Sequence, residues 1–318
     1  MLDLGIVITN YNTRDLLRTC LRSVYASQGD FTFEVCVVDN ASSDGSARMV
    51  ATEFSQARLI ANAENVGYPR ANNRGLRAFG FTDPPTNQPT HQQPTNPPTF
   101  ALLLNPDTEL LPDALARMLD FMAEHPDAGI AGPKLVLPDG SLDLACRRSF
   151  PTPEVSFYRL TGLSRLFPHS QRFGRYNLTY LDPDQITEVD SVVGAFMLVR
   201  ALAIAQAGLM DGQFFMYGED LDWAYRIKAA GWTVYYNPVV TVLHIKRAST
   251  RQNPRAQIEF YRAMGIFYRK HYAAQTRWWL HALIASTISL RQGFEQWRLA
   301  VGRRSPDRAP RQRPEETP

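Results

Sequence analysis

Short apolar runs alternate with amphipathic segments as far as residue 125. An apolar run bounded by turn residues predicts a buried strand, whereas leucine and valine at three- and four-residue spacing predict a helix. The predicted strands span residues 4–9, 33–38, 58–60 and 100–104, and the predicted helices span 14–27, 46–54, 70–79 and 113–125. This regular alternation indicates a parallel, doubly wound sheet with helices on both faces.

The pattern beyond residue 130 is less regular. Turn residues at 138–141 lie between two short runs and predict a hairpin. Residues 150–186 are aromatic and dotted with proline but have no period, so an irregular connection is expected there. Strands are also predicted at 189–199 and 233–236, with an apolar run at 239–243 and a helix at 219–230.

Two polar segments predict disorder. Residues 82–99 are dominated by Pro, Thr, Asn and Gln and lack the apolar surface that a folded element buries. Residues 302–318 are rich in Arg and Pro, and the same reasoning applies to them. The expected organisation is a main domain at 1–250 that contains the insertion, then a helical extension at 251–301 and the tail.

The composition is that of a folded, soluble chain of 318 residues, with 44% hydrophobic and 20% charged residues. The net charge of +3 is small, and no nucleic-acid partner is expected. Three widely spaced cysteines without a CxxC pair indicate neither a disulfide framework nor a zinc site, which fits a reducing cytoplasm. The N-terminus lacks a secretory pattern, and no apolar run is long enough to predict a membrane span.

Polar residues follow three of the predicted parallel strands, namely Asp39, Asn65 and Asp107. Ligands of an open α/β sheet bind outside the carboxyl ends of its strands. Each residue also has a local explanation as a turn or cap residue, but their joint placement on one edge favours a site. The chain has neither GxGxxG nor GxxxxGK[ST], so a divalent cation held by a carboxylate is the expected device for binding phosphate.

Three acids, Glu219, Asp220 and Asp222, follow an aromatic run and begin a predicted helix. Acids are favoured in a first helical turn because they face unpaired N–H groups and the positive end of the helix dipole. Asp222 and Arg226 also have the spacing of an i,i+4 ion pair. Two interpretations of this segment are open: a helix whose first turn is stabilised by acidic residues, or a catalytic site.

An ordered set of motifs is similar to glycosyltransferase family 2, in its rhamnosyltransferase-like branch. The motifs are ITNYN at 8–12, VVDNASSDGS at 37–46, NVG at 65–67 with NNRG at 72–75, LLNPD at 103–107, EDLD at 219–222 and His244. The resemblance covers residues 4–250. It implies the GT-A fold, in which a Rossmann-like nucleotide-binding half is fused to an acceptor-binding half around one mainly parallel sheet, here with C-terminal helices added.

The resemblance also implies which residues bind a nucleoside-diphosphate-sugar donor. The nucleotide-sugar contacts that it implies are Thr9, Tyr11, Asn12, Asp39, Asn65, Gly67, Asn73, Asn105 and Asp107. Asp107 corresponds to the last acid of a DxD-type motif that holds Mg²⁺ or Mn²⁺, and Asn105 stands where many relatives have Asp. His244 is the second implied metal ligand.

The implied reaction is a single displacement with inversion. Asp220 is the implied base that takes the proton from an acceptor hydroxyl, and Glu219, Asp222 and Arg226 are implied supports. The acceptor class is a saccharide or a polyprenyl-linked saccharide, in the synthesis of a cell-surface polysaccharide. Two rival functions are a nucleotidyltransferase, whose usual glycine-rich basic loop is absent at 9–13, and a non-catalytic sugar-binding module, against which both retained acids argue.

The C-terminal extension has apolar residues on one helical face with arginines around it. The apolar residues are Leu283, Leu290, Phe294, Trp297 and Val301, and the arginines are Arg277, Arg291, Arg298, Arg303 and Arg304. Two interpretations are open: a helix at the inner face of the cell membrane, or a helix packed on its own domain or on another subunit. The action of many relatives on polyprenyl-linked saccharides favours peripheral membrane contact, and the sequence does not indicate an oligomeric state.

Overall fold

The computed structural model describes residues 2–84, 97–246 and 255–302, the side chains of 301 and 302 excepted. Most of the predicted insertion at 82–99 and nearly all of the predicted tail at 302–318 lie outside the described residues. The two ends of the insertion that are described make backbone contacts: Leu209 N donates to the Asp83 side chain at 3.0 Å, and Thr99 N donates to Leu2 O at 3.2 Å.

The N-terminal half has the predicted β–α alternation. Its strands are β1 Leu4–Asn10, β2 Phe33–Asp39, β3 Arg58–Ala61 and β4 Phe100–Leu104, and its helices are α1 Arg14–Tyr25, α2 Ser46–Glu53 and α3 Tyr68–Ala78. The four strands pair in parallel in the order β3-β2-β1-β4. All seven residues of β1 are buried, as expected for a central parallel strand whose two faces are covered.

The second half adds strands of both directions. Its elements are β5 Thr108–Leu110, α4 Ala114–Glu124, β6 Ala128–Val136, α5 Pro153–Leu160, α6 Leu163–Leu166, β7 Thr187–Glu188, β8 Phe196–Arg200, α7 Ala201–Ala207, α8 Glu219–Ala229 and β9 Thr233–His244. Within the described ranges, nine strands form one sheet in the order β3-β2-β1-β4-β8-β6-β9-β5, with β7 on β9. Because β8 runs antiparallel to β4 and β6, the sheet is mixed and not parallel throughout.

Two local predictions need correction. The hairpin at 134–145 is a single bridge, Val136 to Leu142, because the chain then enters a 3₁₀ turn in which Asp143 accepts from Ala145 N at 3.0 Å. The segment 150–186 contains α5 and α6, and α5 begins where the Thr152 hydroxyl accepts from Val155 N at 3.2 Å.

The predicted strands of the second half also differ in extent. The strand predicted at 189–199 is the shorter β8, and the runs at 233–236 and 239–243 are one continuous strand, β9.

Two helices follow the sheet, α9 Ala256–His271 and α10 Trp278–Gly302. A small core of Phe214, Leu221, Ala263 and Phe267 joins α9 to the stretch that leads into α8. In the part of the chain that the structure describes, no helix has both the length and the apolar character needed to cross a bilayer.

A three-residue link at 105–107 connects β4, in the middle of the sheet, to β5, at its far edge. β5 pairs antiparallel with the end of β9, so that Thr108 lies opposite His244. The link therefore passes over the strand ends and brings Asn105 and Asp107 to the edge that collects the polar loops.

Candidate active site

The loops after β1 and β2 are joined around Asp39. This buried carboxylate accepts from the Asn10 side chain at 3.0 Å and from Ser42 N at 2.9 Å. The Ser42 hydroxyl in turn accepts from Asn12 N at 2.9 Å. Because both Asp39 oxygens are engaged, the residue shapes the predicted nucleoside loop as well as lining it.

The predicted contacts of the first loop have different settings. Asn12 adopts a left-handed backbone, with a φ of 52°, and its side chain accepts from Ser43 N at 2.8 Å. Tyr11 is half-buried. The hydroxyl of Thr9 is buried and has no hydrogen-bond partner among the described residues, which leaves it available to a ligand.

The loop after β3 is held by two asparagines. Asn65 accepts from Gly67 N at 3.0 Å and from the Asn40 side chain at 2.8 Å. Gly67 has a φ of 86°, and a Cβ there would lie 2.7 Å from the Phe215 carbonyl oxygen. Tyr68 N donates to that same oxygen at 2.8 Å, so the predicted donor loop touches the stretch that carries the three acids.

Asn73, a predicted nucleotide contact, has its side chain bonded to the backbone of Met210. Its side-chain amide donates to Met210 O at 2.7 Å, and its oxygen accepts from Met210 N at 3.0 Å. Asn73 therefore fastens α3 to the chain before the acidic stretch.

Asp107 and His244, the two predicted metal ligands, lie close together at the edge of the sheet. His244 Nε2 lies 3.5 Å from Asp107 Oδ1, and Nδ1 lies 2.9 Å from the fully buried Asp143 carboxylate. Lys246 donates a short hydrogen bond to Asp143. Burial opposes a charge on the imidazole, but the hydrogen bonds to Asp107 and Asp143 outweigh it and raise the pKa of His244 to about 9.

These residues fit a divalent cation. A carboxylate behind a histidine fixes the ring and orients its other nitrogen, which is a common arrangement around metal ligands. In the described ranges no three His, Cys, Asp or Glu side chains cluster to hold an ion by themselves. Asp107 and His244 would therefore supply two ligands, and donor phosphate oxygens and waters would complete the shell.

Asp220 forms a buried ion pair that the sequence did not predict. Its Oδ2 accepts from Arg148 Nη2 at 2.7 Å and from Gly194 N at 3.2 Å, and its Oδ1 accepts from Leu221 N at 2.8 Å. The side chains of Arg148 and Asp220 are 9% and 8% exposed. Burial disfavours a charged guanidinium, but the Asp220 charge outweighs it, and the pKa of Arg148 is raised.

Glu219 lies beside this ion pair. It is buried, and its Oε2 has no hydrogen-bond partner among the described residues. Burial and the adjacent Asp220 charge raise the pKa of Glu219 well above its usual range. Of these two neighbouring buried acids, only Asp220 has a cation at hydrogen-bond distance among the described residues.

Asp222 is fully buried and collects three basic side chains. The predicted ion pair with Arg226 is present at 2.9 Å, and Lys270 and His271 of α9 each approach Asp222 Oδ1 at 2.8 Å. Burial opposes the charge, but these groups outweigh it and lower the pKa of Asp222 to about 2.

Tyr68 connects the two clusters. Its hydroxyl lies 3.2 Å from Asn105 Oδ1 and 2.8 Å from Gly194 O. Gly194 N in turn binds Asp220. Burial, followed by the charges of Glu219, Asp220 and Asp107, raises the pKa of Tyr68 well above its usual value. The phenol therefore stays neutral between the predicted metal ligand and the predicted base.

Sequence reasoning missed Tyr68, Asp143, Arg148, Lys270 and His271. Tyr68 directly follows the NVG motif, and this adjacency was the one available signal. The other four lie 48 to 103 residues from the groups that they contact, so no local spacing marks them.

The described residues thus form an α/β sheet with buried polar and charged side chains collected at its strand ends. A sequence profile described as "Glycosyltransferase like family 2" matches residues 3–260. The chain belongs to this family and is a glycosyltransferase with the GT-A fold. The family and fold predicted from the ordered motifs are confirmed.

Two curated proteins show the extent of the similarity. The N-acetylglucosaminyl-diphospho-decaprenol L-rhamnosyltransferase of Mycobacterium tuberculosis is 28% identical over 256 residues, covering 79% of this chain and 80% of that protein. The low-salt glycan biosynthesis hexosyltransferase Agl10 of Haloferax volcanii is 25% identical over 242 residues, covering 76% and 67%.

Solved structures share the fold at low identity. The mannosyltransferase PcManGT from Pyrobaculum calidifontis, in complex with GDP-Man and Mn²⁺, has a TM-score of 0.51 at 16% identity, covering 96% of this chain and 76% of that one. TarS 1–349 of S. aureus has a TM-score of 0.50 at 14% identity, with the same coverage.

Proposed function

We propose that this glycosyltransferase moves rhamnose or a similar sugar from a nucleoside-diphosphate-sugar to a hydroxyl of a saccharide or polyprenyl-linked saccharide. The reaction inverts the anomeric centre and serves the synthesis of a cell-surface polysaccharide. The name of the M. tuberculosis relative, which specifies a decaprenol-linked acceptor and a rhamnosyl group, supports this substrate class. Residues 1–250 form the transferase domain in this proposal, and 251–301 form a helical extension.

The observation that carries the proposal is the position of Tyr68 between the two clusters. Its hydroxyl is hydrogen-bonded towards Asn105 on one side and towards Gly194, which holds Asp220, on the other. A group that departs beside Asp107 and a hydroxyl that attacks beside Asp220 would therefore meet across one short distance. This is the arrangement that an in-line displacement needs.

On the donor side, the loops around Asp39, Asn65 and Gly67 bind the nucleoside, and Asp107 and His244 are the residues that would hold Mg²⁺ or Mn²⁺. When bound, the cation neutralises the charge that develops on the departing nucleoside diphosphate. The buried Asp143 keeps His244 oriented for this role.

On the acceptor side, Asp220 removes the proton from the attacking hydroxyl. The acceptor oxygen forms a bond to the anomeric carbon as the bond from that carbon to the donor phosphate oxygen breaks, and the bonding pair leaves with the nucleoside diphosphate. Asp220 Oδ1, which accepts only Leu221 N among the described residues, is the oxygen that receives the proton. Glu219 and Asp222 support this first turn of α8.

The substitution Asp220→Asn tests the assignment. It should lower nucleoside-diphosphate release in the presence of donor, acceptor and Mn²⁺ by about 10²- to 10⁴-fold, the range for losing a general base. Donor binding should persist and should still raise the melting temperature. The exposed acid Asp120 of α4, changed to Asn, is the matched control, and near-normal turnover in Asp220→Asn would refute the assignment.

We further propose that α10 lies on the cytoplasmic face of the membrane. One side of α10 packs on α9, where the Tyr268 hydroxyl lies 3.1 Å from His281 Nδ1. The opposite side is an apolar stripe, defined as Trp279, Leu283, Leu290, Phe294 and Trp297, and each of these side chains is more than half exposed. The stripe is about 27 Å long at 1.5 Å per residue, and Arg291 and Arg298 flank it.

Exposed apolar residues beside arginines match an anionic lipid surface. Flotation with phosphatidylglycerol vesicles tests this assignment, with neutral phosphatidylcholine vesicles for comparison. The variant Leu290→Asp/Phe294→Asp should stop floating, whereas Leu202→Asp, which alters an equally exposed leucine on α7, should not matter. Unchanged flotation of the stripe variant would show that the stripe covers a protein surface instead.

A further inference from the structure

The surroundings of Asp220 single out Arg148. It lies just before α5, and its backbone bridges to Ser191 with hydrogen bonds of 2.9 and 3.0 Å. Its guanidinium reaches Asp220 at 2.7 Å and the Val192 carbonyl at 2.8 Å. Arg148 therefore ties the base to the segment that also contains Gly194.

We propose that Arg148 is a positioning residue that makes Asp220, and not its neighbour Glu219, the ionised base of the transfer reaction. This inference rests on the proposed function. Arg148 acts by a fixed geometry: it holds Asp220 Oδ2 with Gly194 N, so that Oδ1 is the oxygen left to face the acceptor.

Arg148 also acts on the two carboxylates through its positive charge. Two adjacent carboxylates in a buried site repel each other, so one of them is readily protonated unless a cation stabilises both. The groups that act on this pair are Arg148, Tyr68 from α3 and Asp222 from the same helix. Only Arg148 is a cation, and its hydrogen bond goes to Asp220.

The neighbouring Arg147 provides a matched control. It is also buried, but it donates to the carbonyl oxygens of Asp182 and Leu181 at 2.7 and 2.8 Å and lies over the Tyr236 ring. Its hydrogen bonds thus go to backbone oxygens and not to a carboxylate. A change at Arg147 removes a buried guanidinium of equal size without touching the acid pair.

The experiment measures the pH dependence of kcat for nucleoside-diphosphate release in wild type, Arg148→Met, Arg148→Lys and Arg147→Met. In Arg148→Met, the loss of an opposite charge at hydrogen-bond distance should move the acidic limb of the kcat–pH profile to higher pH by about 1 to 3 pH units. Its rate at pH 7 should fall at least tenfold, while the donor KM stays unchanged. Arg148→Lys should keep the wild-type limb, and Arg147→Met should lower only the melting temperature.

A double variant tests whether Arg148 acts through Asp220. In an Asp220→Asn background, adding Arg148→Met should cost no further rate, because the two changes remove one interaction. An unchanged acid limb in Arg148→Met, or an additive loss in the double variant, would overturn the inference. If Arg148→Met does not fold, as judged by Mn²⁺-dependent nucleoside-diphosphate binding, Arg148→Lys provides the test. An acidic limb of its kcat–pH profile that is shifted by as much as the roughly 1 to 3 pH units expected for Arg148→Met would refute the role of charge.

The outcomes separate this inference from the function itself. A wild-type protein that releases no nucleoside diphosphate with any donor and acceptor would contradict the proposed function. An active wild type with an unchanged Arg148→Met profile would contradict only the role of Arg148.

Discussion

Replacing Asp222 by Asn should destabilise the protein through the loss of one buried charge. The carboxylate is fully buried against Arg226, Lys270 and His271. A pKa of about 2 in the folded chain, against 3.8 for a free carboxyl, corresponds to about 2.5 kcal/mol in favour of folding at neutral pH. At about 2 °C per kcal/mol for a chain of this size, the melting temperature should fall by about 5 °C.

The pH dependence of this loss has a definite sign. Because the folded-state pKa of Asp222 is depressed, its contribution is fully present above the unfolded value of 3.8 and disappears as the pH falls through about 2. At pH 3 about half of the contribution remains. The difference in melting temperature between wild type and Asp222→Asn should therefore be about half as large at pH 3 as at pH 7.

Thermal unfolding at pH 7, 5 and 3 checks this reasoning. Asp15→Asn is the control, because Asp15 is exposed on α1 beside Arg14 and Arg18, and exposed ion pairs contribute little to stability. A deficit of Asp222→Asn that is the same at pH 7 and pH 3 would refute the role of charge. A deficit no larger than that of Asp15→Asn would refute the magnitude.

Two further outcomes are expected. Gly67→Ala should lower the melting temperature and the transfer rate, because a Cβ would lie 2.7 Å from the Phe215 carbonyl oxygen, in a backbone region that costs a non-glycine residue about 1–3 kcal/mol. The control is Gly140→Ala, which has a similar φ and no atom within 4 Å and should lower only stability. An equal loss of transfer rate in both variants would contradict this prediction. Asp107→Ala should weaken nucleoside-diphosphate binding at least tenfold in Mn²⁺ but not in EDTA, as measured by calorimetry, and a loss that is equal in both would show that Asp107 does not act through a metal.

The sequence predicted what depends on local pattern. Buried parallel strands read as short apolar runs, so β1, β2 and β4 were found with small errors at their ends. The pair of Asp222 and Arg226 was found because helical spacing is local. The helix α5 was not predicted, because residues 150–186 have no apolar period, although Thr152 caps this helix and Pro153 begins it.

The features that were not predicted involve residues that lie far apart in the sequence. Arg148 and Asp220 are 72 residues apart, and Asp143 and His244 are 101 apart. A buried ion pair leaves no periodic trace, because each partner alone looks like any polar residue near a turn. The antiparallel direction of β8 was equally hidden, since apolar runs show burial but not direction.

The link from β4 to β5 constrains the shape of the enzyme. Four strand positions separate β4 from β5 in the sheet, which is about 19 Å at a spacing of about 4.8 Å per strand. The four residue steps from Leu104 to Thr108 span at most about 14 Å. The sheet cannot be flat there, so it curls and brings the end of β9 back towards β4. The separation of β4 and β5 is thus limited by the length of this link, and an insertion or deletion there would change that separation and move Asn105 and Asp107, which lie in the link.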